Sequence, residues 1–169
     1  FTGLLNADFF QPIRILFQQE HYVSATKLLV VAIDSIAFVE FGEIKGENIF
    51  VKWLNKYADM PSLGITSEEL WEHRNSLLHM SNLDSRKVLS GKVRRLVAYV
   101  GELPSEVKLD TTNLGHYNLQ KLILEFGQAC GRWCRTYGDE REKIHDFVER
   151  YDLIASDARM LRIPVATSQ

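Results

Sequence analysis

Apolar residues recur along most of the chain at the three- and four-residue spacing of an α-helix. The first such face comprises Phe9, Phe10, Ile13, Leu16 and Phe17. The same spacing predicts further helices at about residues 25–41, 47–57, 66–80, 117–137 and 140–157. The helix at 25–41, with Ser24 as its expected cap, is apolar on nearly all sides and should therefore lie at the centre of a bundle.

The segment 81–110 interrupts this helical pattern. It contains Gly91, Gly101 and Pro104, together with the β-prone run Leu96–Val100. We expect one turn of helix there and at most a short hairpin, at about residues 86–100. The fold class predicted from the whole pattern is all-α: a bundle of five to six helices forming a single domain over residues 1–169.

Composition and net charge exclude several classes of protein for this chain. The chain has 169 residues, of which 46% are hydrophobic and 25% charged, and its net charge is -2. These values exclude a disordered tail, a fibre and a disulfide-built miniprotein. They also disfavour a strongly basic coat protein for nucleic acid, so any phosphate chemistry must depend on a local patch.

Cysteine usage and the apolar runs predict a cytoplasmic location. Cys130 and Cys134 are too few for a disulfide framework, and their spacing on an apolar face predicts core packing. The longest apolar run, Leu28–Phe41, is interrupted by Asp34 and Glu40 and is too short for a membrane span. We therefore expect a soluble protein without a membrane partner.

The helix predicted to follow Thr66 carries the residues of chemical interest. Thr66 and Glu69 form a capping box at its start. Arg74 falls in the middle of the apolar stripe, where a permanent cation needs an anion. That anion is either a bound phosphate or a fixed carboxylate, for which Asp34 in the most apolar helix is the candidate.

Asn75 and His79 lie four residues apart on the flank of the same stripe. In a regular α-helix Arg74 and His79 would diverge by about 140°. Two routes would bring them together: the helix loosens near His79, or two copies of the chain pool their residues in one site. A histidine, an arginine and an amide could together cleave a phosphodiester without a metal, as general acid or base, charge stabiliser and positioning group.

The run from Arg74 to His79 resembles the R-N-x-x-x-H signature of HEPN domains. The resemblance implies a homodimeric, metal-independent RNA endonuclease that leaves a 2′,3′-cyclic phosphate and a 5′-hydroxyl, with no cofactor. Arg74, Asn75 and His79 would be its catalytic residues. Many members of the family are toxins or anti-phage ribonucleases, so a cognate antitoxin or regulatory protein is a further expected partner.

Other members of that family are non-catalytic modules that bind RNA or nucleotides or only dimerise, and this alternative stays open. A subgroup regulated by a nucleotidyltransferase antitoxin carries a tyrosine two residues after the histidine. This chain has Ser81 at that position, so modification of that tyrosine is not implied.

A basic segment follows the motif and contains no acid between Ser85 and Gly101. We expect its cations to attract RNA to the mouth of the cleft. The alternative is that the segment is a solvated hairpin. The cations are Arg86, Lys87, Lys92, Arg94 and Arg95. His73 is expected to be exposed. The other histidines lack partners at metal-ligand spacing, so we expect no metal site.

Overall fold

The computed structural model of this chain describes residues 2–80 and 86–155. The helices are α1 (Thr2–Leu5), α2 (Gln11–Gln18), α3 (Tyr22–Phe41), α4 (Ile49–Tyr57), α5 (Ser67–Asn75), α6 (Arg86–Leu89), α7 (Leu119–Asp139) and α8 (Lys143–Ala155). Two π-helical segments follow α1 and α5, at Asn6–Phe10 and Ser76–Met80, and a 3₁₀ turn spans Pro61–Leu63. The strands are β1 (Arg95–Tyr99) and β2 (Leu114–Asn118).

Helix α3 forms the centre of the fold, as its apolar sequence predicts. Leu29, Ile33 and Ile36 are fully buried, and α3 packs against α2, α4, α7 and α8. Among the described helices, α3 alone is long and apolar enough to cross a membrane, and half of its most apolar window is buried inside the protein. A buried core helix passes the same test of length and hydropathy.

Side-chain caps fix the starts of three helices. The Thr66 hydroxyl accepts a hydrogen bond from the Glu69 amide at 3.1 Å, and the Glu69 carboxylate accepts one from the Thr66 amide at 2.9 Å, so the predicted capping box is confirmed. Asn48 and Asn118 cap α4 and α7. The prediction that Ser24 caps α3 was wrong, because α3 already begins at Tyr22.

The two strands correct the predicted all-α class and the predicted hairpin at 86–100. The molecule is mostly helical but also contains a small parallel sheet, in which Leu96 pairs with Gly115 and Tyr99 with Asn118. Parallel neighbours cannot be joined by a tight turn, and residues 100–113 supply the long connection. The second strand was missed because its sequence, Leu-Gly-His-Tyr-Asn, lacks a run of β-branched residues.

A buried carboxylate on α3 ties the bundle together. Glu40 accepts hydrogen bonds from the Tyr57 hydroxyl at 2.6 Å, the Trp133 indole at 2.9 Å, and Lys56 and Lys143 at 3.0 Å. Burial by itself would raise the pKa of Glu40, but these four donors lower it to about 2. Because the donors come from α4, α7 and α8, this one side chain links four helices.

Candidate active site

The π-helical segment at the end of α5 brings Arg74 and His79 together. Regular helix ends at Asn75, and residues 76–80 continue with the wider π geometry, in which hydrogen bonds join residues five apart. The Arg74 Nη1 and His79 Nε2 atoms are 3.0 Å apart. Of the two routes that the sequence left open, the structure therefore contains the first, a loosened helix.

Arg74 is anchored on several sides. Its Nη2 atom donates to the Asp34 carboxylate on α3, and its Nη1 atom is also 3.1 Å from the Asn75 side-chain oxygen. The Arg74 side chain is 16% exposed and that of Asp34 is 28% exposed. The candidate ion pair between the two residues is thus present, and it holds the partly exposed guanidinium at the edge of the core.

The Trp71 ring packs against the guanidinium of Arg74. The Arg74 Cζ atom lies 4.8 Å from the centre of the Trp71 ring, which is a cation–π distance. Trp71 in turn packs against Phe50 of α4, with ring centres 5.4 Å apart. The position of Trp71, three residues before Arg74 on one helix face, is a signal in the sequence for this contact.

The contact with Arg74 assigns His79 the role of acceptor. A guanidinium has donors only, so the His79 Nε2 atom accepts in this contact. His79 is exposed, so the ring is accessible to a ligand while one edge remains fixed by Arg74.

His73 is buried, which corrects the expectation that it is exposed. It is 5% exposed, and its Nε2 atom lies 3.1 Å from the Tyr117 hydroxyl on β2. Burial lowers the pKa of His73 to about 4, so the ring is neutral at neutral pH. The expectation failed because it depended on this face of α5 being open, and the unpredicted strand β2 covers it.

The basic segment is partly neutralised by acids of α5. Arg94 donates to both oxygens of Glu69, at 2.6 and 3.0 Å, and also to the Gly64 carbonyl at 3.1 Å. The Lys87 ammonium lies 3.0 Å from Glu72 and its side chain is 54% exposed. Arg94 therefore fastens the start of β1 to the start of α5, a role that its position in a run of cations did not indicate.

The remaining cations of the basic segment differ in their exposure to solvent. Lys92 is exposed and Arg95 is half-buried at the start of β1. The side chain of Arg86 and the whole of Ser81 lie outside the described residues. Within 2–80 and 86–155, no cluster of three or more histidine, cysteine, aspartate or glutamate side chains is placed to hold a metal ion.

Comparison of the chain with family models, with curated proteins and with solved structures found no match. Function must therefore be inferred from the contacts around Arg74 and His79, and from the resemblance of residues 74–79 to the HEPN signature. The described contacts join a fixed cation, an amide and an exposed imidazole at the widened end of one helix.

Proposed function

We propose that the protein is a metal-independent endoribonuclease of the HEPN type, with a site completed by a second copy of the chain. The observation that carries this proposal is the 3.0 Å contact between Arg74 and His79, made across five residues by the π-helical segment. π-Helical turns are rare and concentrate at functional sites, so a widened turn at this motif favours chemistry over packing alone.

In the proposed reaction the nucleophile belongs to the substrate. His79 accepts the proton of a ribose 2′-hydroxyl, and the 2′-oxygen attacks the adjacent phosphorus. The bond from phosphorus to the 5′-oxygen breaks, which leaves a 2′,3′-cyclic phosphate and, after protonation, a 5′-hydroxyl. Arg74 stabilises the charge that develops on the phosphorane oxygens, and Asn75 positions the phosphate or the imidazole.

Substrate binding would also release the base. In the free protein the lone pair of the His79 Nε2 atom is engaged by Arg74. A phosphate oxygen is a stronger acceptor for a guanidinium than a neutral imidazole. When phosphate takes the Nη1 donor, the Nε2 atom becomes available to accept the 2′-hydroxyl proton, so the base is freed where the scissile phosphate binds.

A second copy supplies what one chain lacks. In-line cleavage needs a base at the 2′-oxygen and an acid at the leaving 5′-oxygen, on opposite sides of phosphorus. Each chain offers a single His79, which is exposed and could meet its equivalent across a two-fold axis. We therefore propose a homodimer in which the two motifs face one RNA strand, acting as a cytoplasmic toxin or phage-defence ribonuclease under a protein regulator.

One observation favours a second candidate function, a module that binds RNA or nucleotides without cutting. Asp34 already neutralises Arg74, and Arg94 and Lys87 are paired with Glu69 and Glu72. With these pairs intact, few positive charges are available to a polyanion, so binding would be weak and would depend on salt only through the few cations that remain free to contact phosphate.

The two candidates are separated by incubating the purified protein with end-labelled RNA in EDTA. The ribonuclease proposal predicts cleavage to cyclic-phosphate ends, abolished in Arg74→Ala and His79→Ala. His145→Ala is the matched control, because His145 is an exposed histidine on α8. Cleavage that persists in both motif variants would contradict the proposal, and salt-sensitive binding without cleavage by the unmodified protein would favour the binding module.

A further inference from the structure

A cavity of about 430 Å³ lies behind the helix that carries the motif. Its walls come from the start of α3, from α5 and its π-helical extension, and from both strands. Sites for small organic ligands occupy roughly 300–1,000 Å³, so the volume suits a small molecule. Among the described residues no side chain fills this space.

The walls are apolar and uncharged, which defines the chemistry of the occupant. None of the described residues that line the cavity carries a permanent charge, and aromatic rings are contributed by Tyr22, Tyr99 and Tyr117. The neighbouring cavity around Lys92 and Glu68 is lined by several charged side chains instead. A phosphate or other ion would lose its hydration in the apolar cavity without gaining a partner.

Two of the hydroxyl groups in the walls are hydrogen-bonded within the protein. The Thr26 hydroxyl donates to the Tyr22 carbonyl at 2.8 Å, and the Tyr117 hydroxyl is paired with His73 Nε2. The other ring nitrogen, His73 Nδ1, is buried and has no hydrogen-bond partner among the described residues. Because the lining is mainly apolar and aromatic, a suitable ligand presents mostly flat apolar surface.

The cavity also contacts the segment that holds His79. Leu77, one of its lining residues, belongs to the π-helical segment, and His73 precedes Arg74 directly on α5. A ligand packed against Leu77 gains contact only while residues 76–80 keep the geometry that lines the cavity. Occupancy would thus favour the same helical form that places His79 beside Arg74.

From these contacts we propose that the cavity binds a neutral, flat, apolar molecule of one or two rings, and that the bound molecule stabilises the contact between His79 and Arg74. Binding and its effect on the His79 ring are independent of any enzymatic activity. Only the consequence of this binding for RNA cleavage rests on the proposed ribonuclease function, so the two proposals can fail separately.

The test uses 6-fluoroindole as the probe and indole-3-acetate as the charged control. We expect the fluorine resonance of 6-fluoroindole to broaden with the full-length protein and to recover on competition with unlabelled indole, whereas indole-3-acetate does not compete. Ala98→Trp, placed at the exposed mouth of the cavity, should weaken binding at least about tenfold by filling it. Val148→Trp on α8, 60% exposed and outside the cavity, should leave binding unchanged.

A carbon-13 spectrum of the histidine rings supplies the second readout. Indole should shift the His79 resonance in the unmodified protein and in Val148→Trp, and not in Ala98→Trp. Absence of broadening at millimolar probe, or equal broadening in Ala98→Trp, would overturn the proposal. Binding that appears only when the protein is diluted would also overturn it, because a second copy of the chain would then be the natural occupant.

Discussion

Arg74 and His79 contact each other through their side chains at 3.0 Å although they are separated by five positions, a spacing that a regular α-helix would place on diverging faces. The contact depends on the guanidinium fork, which bonds Asp34 with one nitrogen and His79 and Asn75 with the other. A lysine offers a single ammonium at the end of a flexible chain and cannot reproduce this set of bonds.

Arg74→Lys should therefore lower RNA cleavage by about 100-fold or more, since it removes a fixed charge stabiliser from the proposed transition state. The fold should persist, because Lys still carries a charge for Asp34. Single-turnover cleavage rates and the helical circular dichroism signal check the two statements. A variant that retains most of the activity would contradict a role for the guanidinium fork.

Trp71 is expected to position Arg74 through its ring. The Trp71 ring centre lies 4.8 Å from the Arg74 Cζ atom. Trp71→Phe keeps an aromatic face at this position, whereas Trp71→Leu keeps apolar volume and loses the cation–π contact. We expect Trp71→Phe to retain activity within about threefold and Trp71→Leu to lose about tenfold in the maximal rate, which corresponds to about 1.4 kcal/mol. Separate measurements of kcat and KM for both variants test this prediction. Equal effects of the two substitutions would show that Trp71 contributes only packing and does not position Arg74.

The buried His73 should make the protein less stable in mild acid. Burial lowers its pKa from 6.5 to about 4 in the folded state. Between those two values the unfolded chain binds a proton that the folded chain does not, so the free energy of unfolding falls as the pH is lowered. The contribution of this one group over that range is about 3 kcal/mol.

Urea unfolding at several pH values between 7 and 4, compared between the unmodified protein and His73→Gln, measures this contribution. Glutamine keeps a hydrogen-bonding group near the Tyr117 hydroxyl but does not titrate. The stability of His73→Gln should therefore depend less steeply on pH over this range. Identical slopes for the two proteins would show that His73 does not gain its proton on unfolding.

The parallel strand pair depends on a glycine. A Cβ atom at Gly115 would lie 2.5 Å from the Leu96 Cδ2 atom, closer than packed atoms approach. Gly115→Ala should destabilise the protein by about 1–3 kcal/mol through overpacking. Gly138→Ala is the control, since nothing lies within 4 Å of its Cβ position on α7 and alanine is favoured in a helix. Thermal unfolding of both variants tests the difference.

Local signals in the sequence were sufficient to locate the longer helices, although not the start of α3. The capping box at Thr66 and the all-round apolar character of α3 predicted features that depend on neighbouring residues and burial alone. The parallel sheet was not predictable in the same way, because the pairing of Leu96 with Gly115 joins distant segments and β2 has no strong strand pattern.

The candidate site was also predictable only in part. Arg74, Asn75 and His79 were found from a cation placed in an apolar stripe, and Asp34 from its position in the most apolar helix. The burial of His73 and the pairing of Arg94 with Glu69 followed from tertiary contacts of β1 and β2. A run of cations in the sequence does not reveal which members are neutralised by acids on another helix.

Lys92 and Arg94 should consequently behave differently toward RNA. Lys92 is exposed, so Lys92→Ala should weaken RNA binding modestly and reduce the slope of log affinity against log salt by about 1. Arg94→Ala instead leaves the Glu69 carboxylate, whose side chain is 6% exposed, without its main partner. We expect that variant to lose about 3 kcal/mol of stability, as the breaking of a buried pair does. Salt titrations of RNA binding and urea unfolding of both variants would separate the two roles. If Arg94→Ala is as stable as the unmodified protein and has a reduced salt slope, Arg94 binds RNA and the structural role is contradicted.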